Sequence, residues 1–240
     1  MSRSRPDAAP SFLLVRELGT PGDTLSLDDE NGHYVTRVCR ARVGETLSAT
    51  NGRGESAGLT ILSLEPRVVV RLDSVRAETA DREAIVWCGT PEGSRADWLV
   101  EKLGELGVAT FQPIDCARSR WNLGEARLGR LRRLAEAALR QSRRSRLMRI
   151  EPSRPLEDLA RAVPAGISRW LADPAGARNA LPASKATSIV AVGPAEGFDG
   201  AEVALLEALE FQSISLSDGR LRTETAAISW AAWWSSRPSR

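Results

Sequence analysis

The chain has 240 residues, of which 42% are hydrophobic and 27% charged, so it can form one large or two small domains with a buried core. No apolar run approaches the ~20 residues of a membrane span, and residues 1–10 lack the apolar segment of a signal peptide, which predicts a cytoplasmic protein without membrane association. The single histidine, His33, and three widely separated cysteines form no disulfide or metal-site pattern, so no metal is expected.

The segment from Ser11 to Val75 is predicted to be a small barrel of β-strands. Its short apolar stretches are separated by turn residues, of which Asn51–Gly54 form the clearest turn because Asn and Gly tolerate positive φ. Residues His33–Ala41 are predicted to form a short helix. The expected strands are Phe12–Val15, Thr46–Ala49, Leu59–Leu64 and Val68–Leu72.

After Asp81 the pattern changes to alternating strands and helices, which predicts an α/β domain with a mainly parallel sheet. The expected strands are Ala84–Cys88, Thr110–Ile114, Ile167–Ala172, Ser188–Val192 and Ser213–Leu216. The expected helices are Ser94–Gly107, Leu123–Leu147, a short one within Pro152–Pro164, Glu202–Glu210 and Thr223–Trp234. Trp230, Trp233 and Trp234 follow helical spacing, which favours the core or a dimer interface over base stacking.

Positive charge is concentrated in one part of the chain. Twelve arginines but only three acidic residues lie between Arg118 and Arg154, although the formal net charge of the whole chain is only +2. A high-GC genome would enrich arginine throughout, but the clustering favours a surface that contacts an anion such as the RNA backbone. The alternative is a solvated helix face.

Two glycine-containing loops follow predicted strands, at the sheet edge where open α/β sheets bind ligands. They are Val192–Phe198 and Leu216–Ala226, and neither has the spacing of a phosphate-binding loop or a dinucleotide fingerprint. Taken alone, this pattern indicates an α/β protein with a basic face and goes no further.

These loops resemble the GPEGGF and LGxRILRTETA signatures of the bacterial 16S rRNA (uracil-N(3)) methyltransferases, a family of the knotted SPOUT class. Further resemblances run in the same order along the chain, at His33–Gly44, Asn51–Gly54, Asp97–Val108, Arg118-Ser119 and Gln141–Arg144. Together they extend from about residue 12 to residue 235. The ELGV-like and LRTETA-like segments are the most specific pair.

The resemblance implies a PUA-like RNA-binding barrel over residues 1–78 and a SPOUT methyltransferase domain over residues 79–240, with a deep trefoil knot around residues 190–226. It implies S-adenosylmethionine as cofactor, ribosomal RNA of the small subunit as substrate and a homodimer. The implied cofactor residues are Val192, Gly193, Gly197, Leu216, Ser217, Leu221 and Arg222. The implied catalytic residues are Arg222 and Glu224, with Arg222 steadying the uracil oxyanion or, alternatively, pairing with Glu224 or backbone carbonyls. The residues assigned to RNA are His33, Arg37, Arg40, Arg118, Arg140 and Arg144.

Several positions depart from the family pattern within the two loops. Ala195 replaces a glutamate, while Glu196, Ser217 and Gly219 stand where two glycines and an arginine are usual. A glutamate in place of a glycine could crowd a cofactor. Two alternatives therefore stay open: a catalytically altered paralogue that acts as an RNA-binding or ribosome-assembly protein, and a SPOUT methyltransferase that modifies another RNA.

Overall fold

The computed structural model describes residues 11–80, 82–92, 94–178 and 187–236. The chain divides into two compact units. The first comprises the described residues up to Thr79 together with Arg140–Arg146, and the second comprises residues 80–139 and those from Leu147 onward. No helix among the described residues is long and apolar enough to cross a membrane.

The first unit is built on a five-stranded sheet in the order β1-β3-β4-β5-β2. Its strands are β1 (Phe12–Leu14), β2 (Thr24–Ser26), β3 (Thr46–Thr50), β4 (Glu55–Ser63) and β5 (Val69–Ala77). Alternate residues of β4 and β5, such as Leu59, Ile61, Val70 and Leu72, are buried in its core. β2 was not predicted. The described strands pair in an open order, with β1 and β2 at the two edges of the sheet.

A helical segment lies between β2 and β3, but it begins earlier than the sequence predicts. Helix α1 spans Asp29–His33 because the Asp28 side chain accepts a hydrogen bond from the backbone N–H of Asn31 at 2.8 Å. A π-helical turn, Tyr34–Val38, continues it. Arg40 then adopts a φ of 50°, which ends the helical segment before Ala41.

The second unit contains a sheet in the order β12-β10-β11-β6-β7-β8, and every pairing in it is parallel, as predicted. Its strands are β6 (Ala84–Cys88), β7 (Thr110–Asp115), β8 (Arg149–Ile150), β10 (Ser168–Ala177), β11 (Ser188–Val192) and β12 (Gln212–Ile214). The two-residue strand β9 (Arg154–Pro155) pairs with β7 off this path. All five residues of the central strand β11 are buried, as is typical of a parallel strand covered on both faces.

Helices cover both faces of this sheet. The helices are α2 (Arg95–Leu106), α3 (Glu125–Ser142), α4 (Leu156–Arg161), α5 (Gly200–Ala208) and α6 (Thr223–Ser235). Val190 and Val192 pack in a core with residues of α2, α3 and α6, whereas Ile189 and Ala191 pack in a second core with residues of α4 and α5. Trp230 is fully buried in the first core, which confirms its structural assignment.

Helix α3 is shorter than predicted. It ends at Ser142 rather than Leu147, because Arg143 adopts a φ of 56° and Arg140–Arg146 belongs to the first unit. There the carbonyl of Ser145 accepts hydrogen bonds from Thr50 Oγ1 at 2.8 Å and from the Gly54 N–H at 3.0 Å. These long-range bonds compete successfully with continuation of the helix, which the local pattern favours.

Two cysteines of the second unit are buried, and burial raises the pKa of both thiols, that of Cys116 to about 12. Since only the thiolate is nucleophilic, we expect neither Cys88 nor Cys116 to react with a thiol reagent at neutral pH in the folded protein. Mass spectrometry after brief alkylation, with and without guanidinium, measures this. The half-buried Cys39 provides an internal comparison. Native-state labelling of Cys88 at the rate of an exposed thiol would contradict the expectation.

Candidate functional site

A cavity of about 670 Å³ opens in the second unit at the carboxyl ends of β11 and β12, beside residues 171–174 of β10. This is where an open parallel sheet offers exposed backbone groups to a ligand, and the volume is within the range of small-molecule sites. Both glycine-containing loops line the cavity. The lining includes Leu171–Pro174, Val192–Ala195, Gly197-Phe198, Ile214–Ser217, Gly219–Glu224, Glu92 and Arg95.

The first loop, after β11, contains a tight turn over Pro194–Gly197. The N–H of Gly197 donates to the carbonyl of Pro194 at 2.9 Å, and Gly197 has a φ of 76°, a conformation that favours glycine. Glu196 is exposed, has no positive φ and does not line the cavity. The departure from glycine at Glu196 therefore neither strains the turn nor fills the cavity.

Another glycine fixes where this loop lies. A Cβ on Gly89, at the end of β6, would lie 2.4 Å from the backbone nitrogen of Pro194 and 2.8 Å from its Cα. The N–H of Gly89 also donates to the carbonyl of Val192 at 2.9 Å. Only glycine permits so close an approach of the two backbones, and the sequence pattern did not indicate this position.

The second loop, between β12 and α6, is tied to the first by two side chains. Thr223 Oγ1 donates to the carbonyl of Gly193 at 3.0 Å, and Arg220 Nη2 donates to the carbonyl of Ala195 at 3.1 Å. Within the second loop the N–H of Gly219 donates to Ser217 Oγ at 3.2 Å. The two loops therefore form one wall of the cavity although they are far apart in sequence.

The cavity contains a buried carboxylate at the first turn of α6. Glu224 is only 3% exposed, and its Oε1 lies 3.3 Å from Nε of Arg95 at the start of α2. Arg95 also pairs with the exposed Glu92 at 3.3 Å. A buried charge requires such a partner, and here the arginine comes from a helix more than a hundred residues earlier in the chain.

Arg222 precedes α6, is exposed and lines the same cavity. The ion pair that the structure gives Glu224 is with Arg95, so the alternative in which Arg222 pairs with Glu224 is not what the structure shows. The Arg222 guanidinium can therefore contact a ligand in the cavity. All residues that the sequence assigned to the cofactor or to catalysis line this one cavity: Val192, Gly193, Gly197, Leu216, Ser217, Leu221, Arg222 and Glu224. Glu92, Arg95 and Asp173 also line it but were not assigned.

The residues that the sequence assigned to RNA differ in exposure and in their partners within the protein. His33, Arg37 and Arg40 are exposed on the first unit. Arg140, in the same unit, pairs with Glu30 at 2.9 Å, while Arg144 is half-buried and burial lowers the pKa of its guanidinium. Arg118, in the second unit, donates from Nη1 to the carbonyl of Glu196 at 3.1 Å. Arg118 and Arg140 thus have structural partners that the sequence pattern did not indicate.

The arginines along α3 also have partners within the second unit. Arg130 forms an ion pair with Asp97, Arg132 donates to the carbonyl of Ile150, and Arg127 lies over the ring of Trp121. Arg127, Arg130 and Arg132 are nevertheless exposed. This helix face is therefore solvated and basic, but these three guanidinium groups also contact other residues of the second unit.

Comparison with known proteins identifies the class of protein that this fold and cavity define. A family model described as an RNA methyltransferase domain matches residues 77–235, and one described as an RNA methyltransferase PUA domain matches residues 27–70. The chain belongs to this family of RNA methyltransferases.

Individual relatives make the resemblance more specific. The chain is 26% identical over 233 residues to the ribosomal RNA small subunit methyltransferase E of Bacillus subtilis, covering 90% of this chain and 91% of that one. It is 34% identical to the Aquifex aeolicus protein of the same name over 140 residues, 55% of this chain and 59% of that one. The fold is shared with the Neisseria gonorrhoeae enzyme of that name, solved with S-adenosylmethionine bound, at a TM-score of 0.87 and 21% identity over 95% and 98% of the two chains.

Proposed function

We propose that this protein transfers the methyl group of S-adenosylmethionine to N3 of a uridine in 16S ribosomal RNA of the small subunit. The observation that carries the proposal is that every residue assigned to cofactor or catalysis from the sequence lines one cavity at the carboxyl edge of the sheet. The names of the relatives from Bacillus subtilis and Aquifex aeolicus support ribosomal RNA of the small subunit as the substrate.

The residues of the cavity fit a methyl donor of this kind. A Cβ on Gly219 would meet nothing within 4 Å, so the second loop leaves open space for a ligand at this position of the cavity lining. The apolar side chains of Val192, Leu216 and Leu221 suit an adenine ring. The lining contains acidic side chains (Glu92, Asp173, Glu224) and basic ones (Arg95, Arg220, Arg222), a mixture that suits a ligand carrying ammonium, sulfonium and carboxylate groups.

When bound, S-adenosylmethionine supplies a methyl group activated by its positive sulfur. The protein must then position the uracil and stabilise the negative charge that appears on the ring when the N3 proton leaves. Arg222 supplies a guanidinium in the cavity for a uracil oxygen. Glu224, held by Arg95, fixes the start of α6 and with it the backbone next to Arg222.

RNA binding is assigned to both parts of the chain. His33, Arg37 and Arg40 provide an exposed basic surface in the unit that contains the PUA match, and guanidinium groups bind phosphates well. Arg118, Arg140 and Arg144 are assigned to RNA as well: a phosphate would replace the Glu196 carbonyl at Arg118 and Glu30 at Arg140. We further propose a trefoil knot around residues 190–226, a homodimer and a cytoplasmic location, where ribosomal subunits are assembled.

The first experiment is calorimetric titration of the purified protein with S-adenosylmethionine. We expect micromolar affinity, about −8 kcal/mol, followed by methyl transfer to 16S RNA or to assembled small subunits, with the product identified as 3-methyluridine by mass spectrometry. Donor binding with transfer only to another RNA would replace the substrate. Absence of donor binding, both alone and with RNA, would favour the RNA-binding or ribosome-assembly paralogue.

A further inference from the structure

Only one backbone hydrogen bond is observed within the Pro194–Gly197 turn of the cavity, among the described residues. This bond, from the Gly197 N–H, occupies the carbonyl of Pro194. The carbonyls of Ala195 and Glu196 have partners outside the turn. Both accept from arginine side chains at 3.1 Å: Ala195 from Arg220 and Glu196 from Arg118. Two consecutive carbonyls are thus bound by two guanidinium groups from distant parts of the chain.

The two arginines reach the turn from separate segments. Arg220 belongs to the loop between β12 and α6 and itself lines the cavity. Arg118 belongs to a short turn after β7, closed by reciprocal backbone hydrogen bonds between Cys116 and Ser119 at 2.7 and 3.2 Å. Arg118 does not line the cavity, so it contacts the turn from outside the cavity lining.

The segment that contains Arg118 is anchored to the helix that follows the cavity turn. The N–H of Ala117 donates to Glu202 Oε1 at 2.7 Å. Glu202 is also part of the capping box of α5, in which Asp199 accepts from the Glu202 N–H at 2.8 Å and Glu202 Oε2 accepts from the Asp199 N–H at 2.9 Å. Arg118 therefore reaches the turn from a segment fixed to the next element of the chain.

We propose that Arg118 and Arg220 are positioning residues that together hold the Pro194–Gly197 turn in the form that accepts the methyl donor. This inference rests on the proposed function for the identity of the donor. Guanidinium groups suit the role because a charged donor binds a carbonyl more strongly than a neutral one does. The role given to Arg118 differs from direct RNA contact and predicts an effect in the absence of RNA.

The test compares full-length Arg118→Ala, Arg118→Lys, Arg220→Ala and Arg220→Lys with the wild type, and uses Arg120→Ala as a matched control. Arg120 is an exposed arginine two residues from Arg118 that does not line the cavity. We expect each alanine variant to bind S-adenosylmethionine about tenfold more weakly without RNA, with the KM for the donor raised more than kcat is lowered. Each lysine variant should recover part of the affinity, while Arg120→Ala should match the wild type.

Hydrogen exchange provides a second measurement that needs no ligand. Amides of residues 195–203 should exchange faster in the Arg118→Ala and Arg220→Ala variants than in Arg120→Ala, with the melting temperature nearly unchanged. Unchanged exchange and unchanged donor affinity would overturn the inference, as would an Arg118→Ala variant altered only in its KM for RNA. If the wild type failed to bind the donor but the Arg118→Ala and Arg220→Ala variants still exchanged faster than Arg120→Ala, the result would count against the proposed function alone.

Discussion

Replacing Arg222 with alanine is expected to lower kcat for methyl transfer by about a hundredfold or more, the usual effect of removing one group that stabilises a developing anion. Arg222 is exposed, lines the cavity and immediately precedes α6, while the neighbouring Glu224 is already paired with Arg95. Single-turnover kinetics at saturating donor and RNA would measure the chemical step directly.

The lysine variant and a distant arginine serve as controls for this prediction. Arg222→Lys keeps the charge but loses the planar fork, so we expect an intermediate rate. Arg161→Ala removes an exposed arginine of α4 whose ion pair with Glu157, at 2.8 Å, is also exposed, and its rate should equal that of the wild type. An Arg222→Ala enzyme with full turnover would show that the residue has no part in the chemistry.

Replacing Gly89 with alanine is expected to damage the cavity although Gly89 itself does not line it. The added Cβ would meet backbone and ring atoms of Pro194 at 2.4–2.8 Å, and none of these is the flexible end of a side chain. The loop after β11 must therefore shift. We expect a loss of about 1–3 kcal/mol in the free energy of unfolding and at least a tenfold weaker affinity for S-adenosylmethionine, measured by denaturation and calorimetry.

Gly200→Ala is the matched control for this substitution. Gly200 is the first residue of α5, an added Cβ there would meet nothing within 4 Å, and its φ is not positive. Alanine should therefore leave stability equal or slightly higher and donor affinity unchanged. If Gly89→Ala were as stable and bound the donor as well as Gly200→Ala does, the close approach of β6 to Pro194 would not determine the shape of the cavity.

Much of the second unit could be predicted because its signals are local. Ser188–Val192 forms the predicted strand, and the predicted helix ends at Gly107, which adopts a left-handed conformation with a φ of 78°. The alternation of strands and helices gives the parallel sheet, and that sheet brings the loops after β11 and β12 to one edge. Residues from both loops could therefore be expected to share a site.

Other features depend on contacts that no local pattern encodes. The end of α3 at Ser142 follows from hydrogen bonds between Ser145 and residues almost a hundred positions earlier in the first unit. Strand β2 (Thr24–Ser26) is only three residues long and has no buried residue, so its composition gives little strand signal. It is defined by its pairing with β5.

The sequence by itself determined most of the longer strands and helices, the parallel sheet and the two loops that line the cavity, because hydrophobic period and turn residues act over a few positions. The tertiary structure alone decided that Arg95 pairs with Glu224, that Gly89 sets the place of Pro194 and that Arg118 binds the cavity turn. Each of these joins segments at least seventy residues apart in the chain. Their meeting depends on how the whole sheet and its helices pack, which no short stretch of sequence specifies.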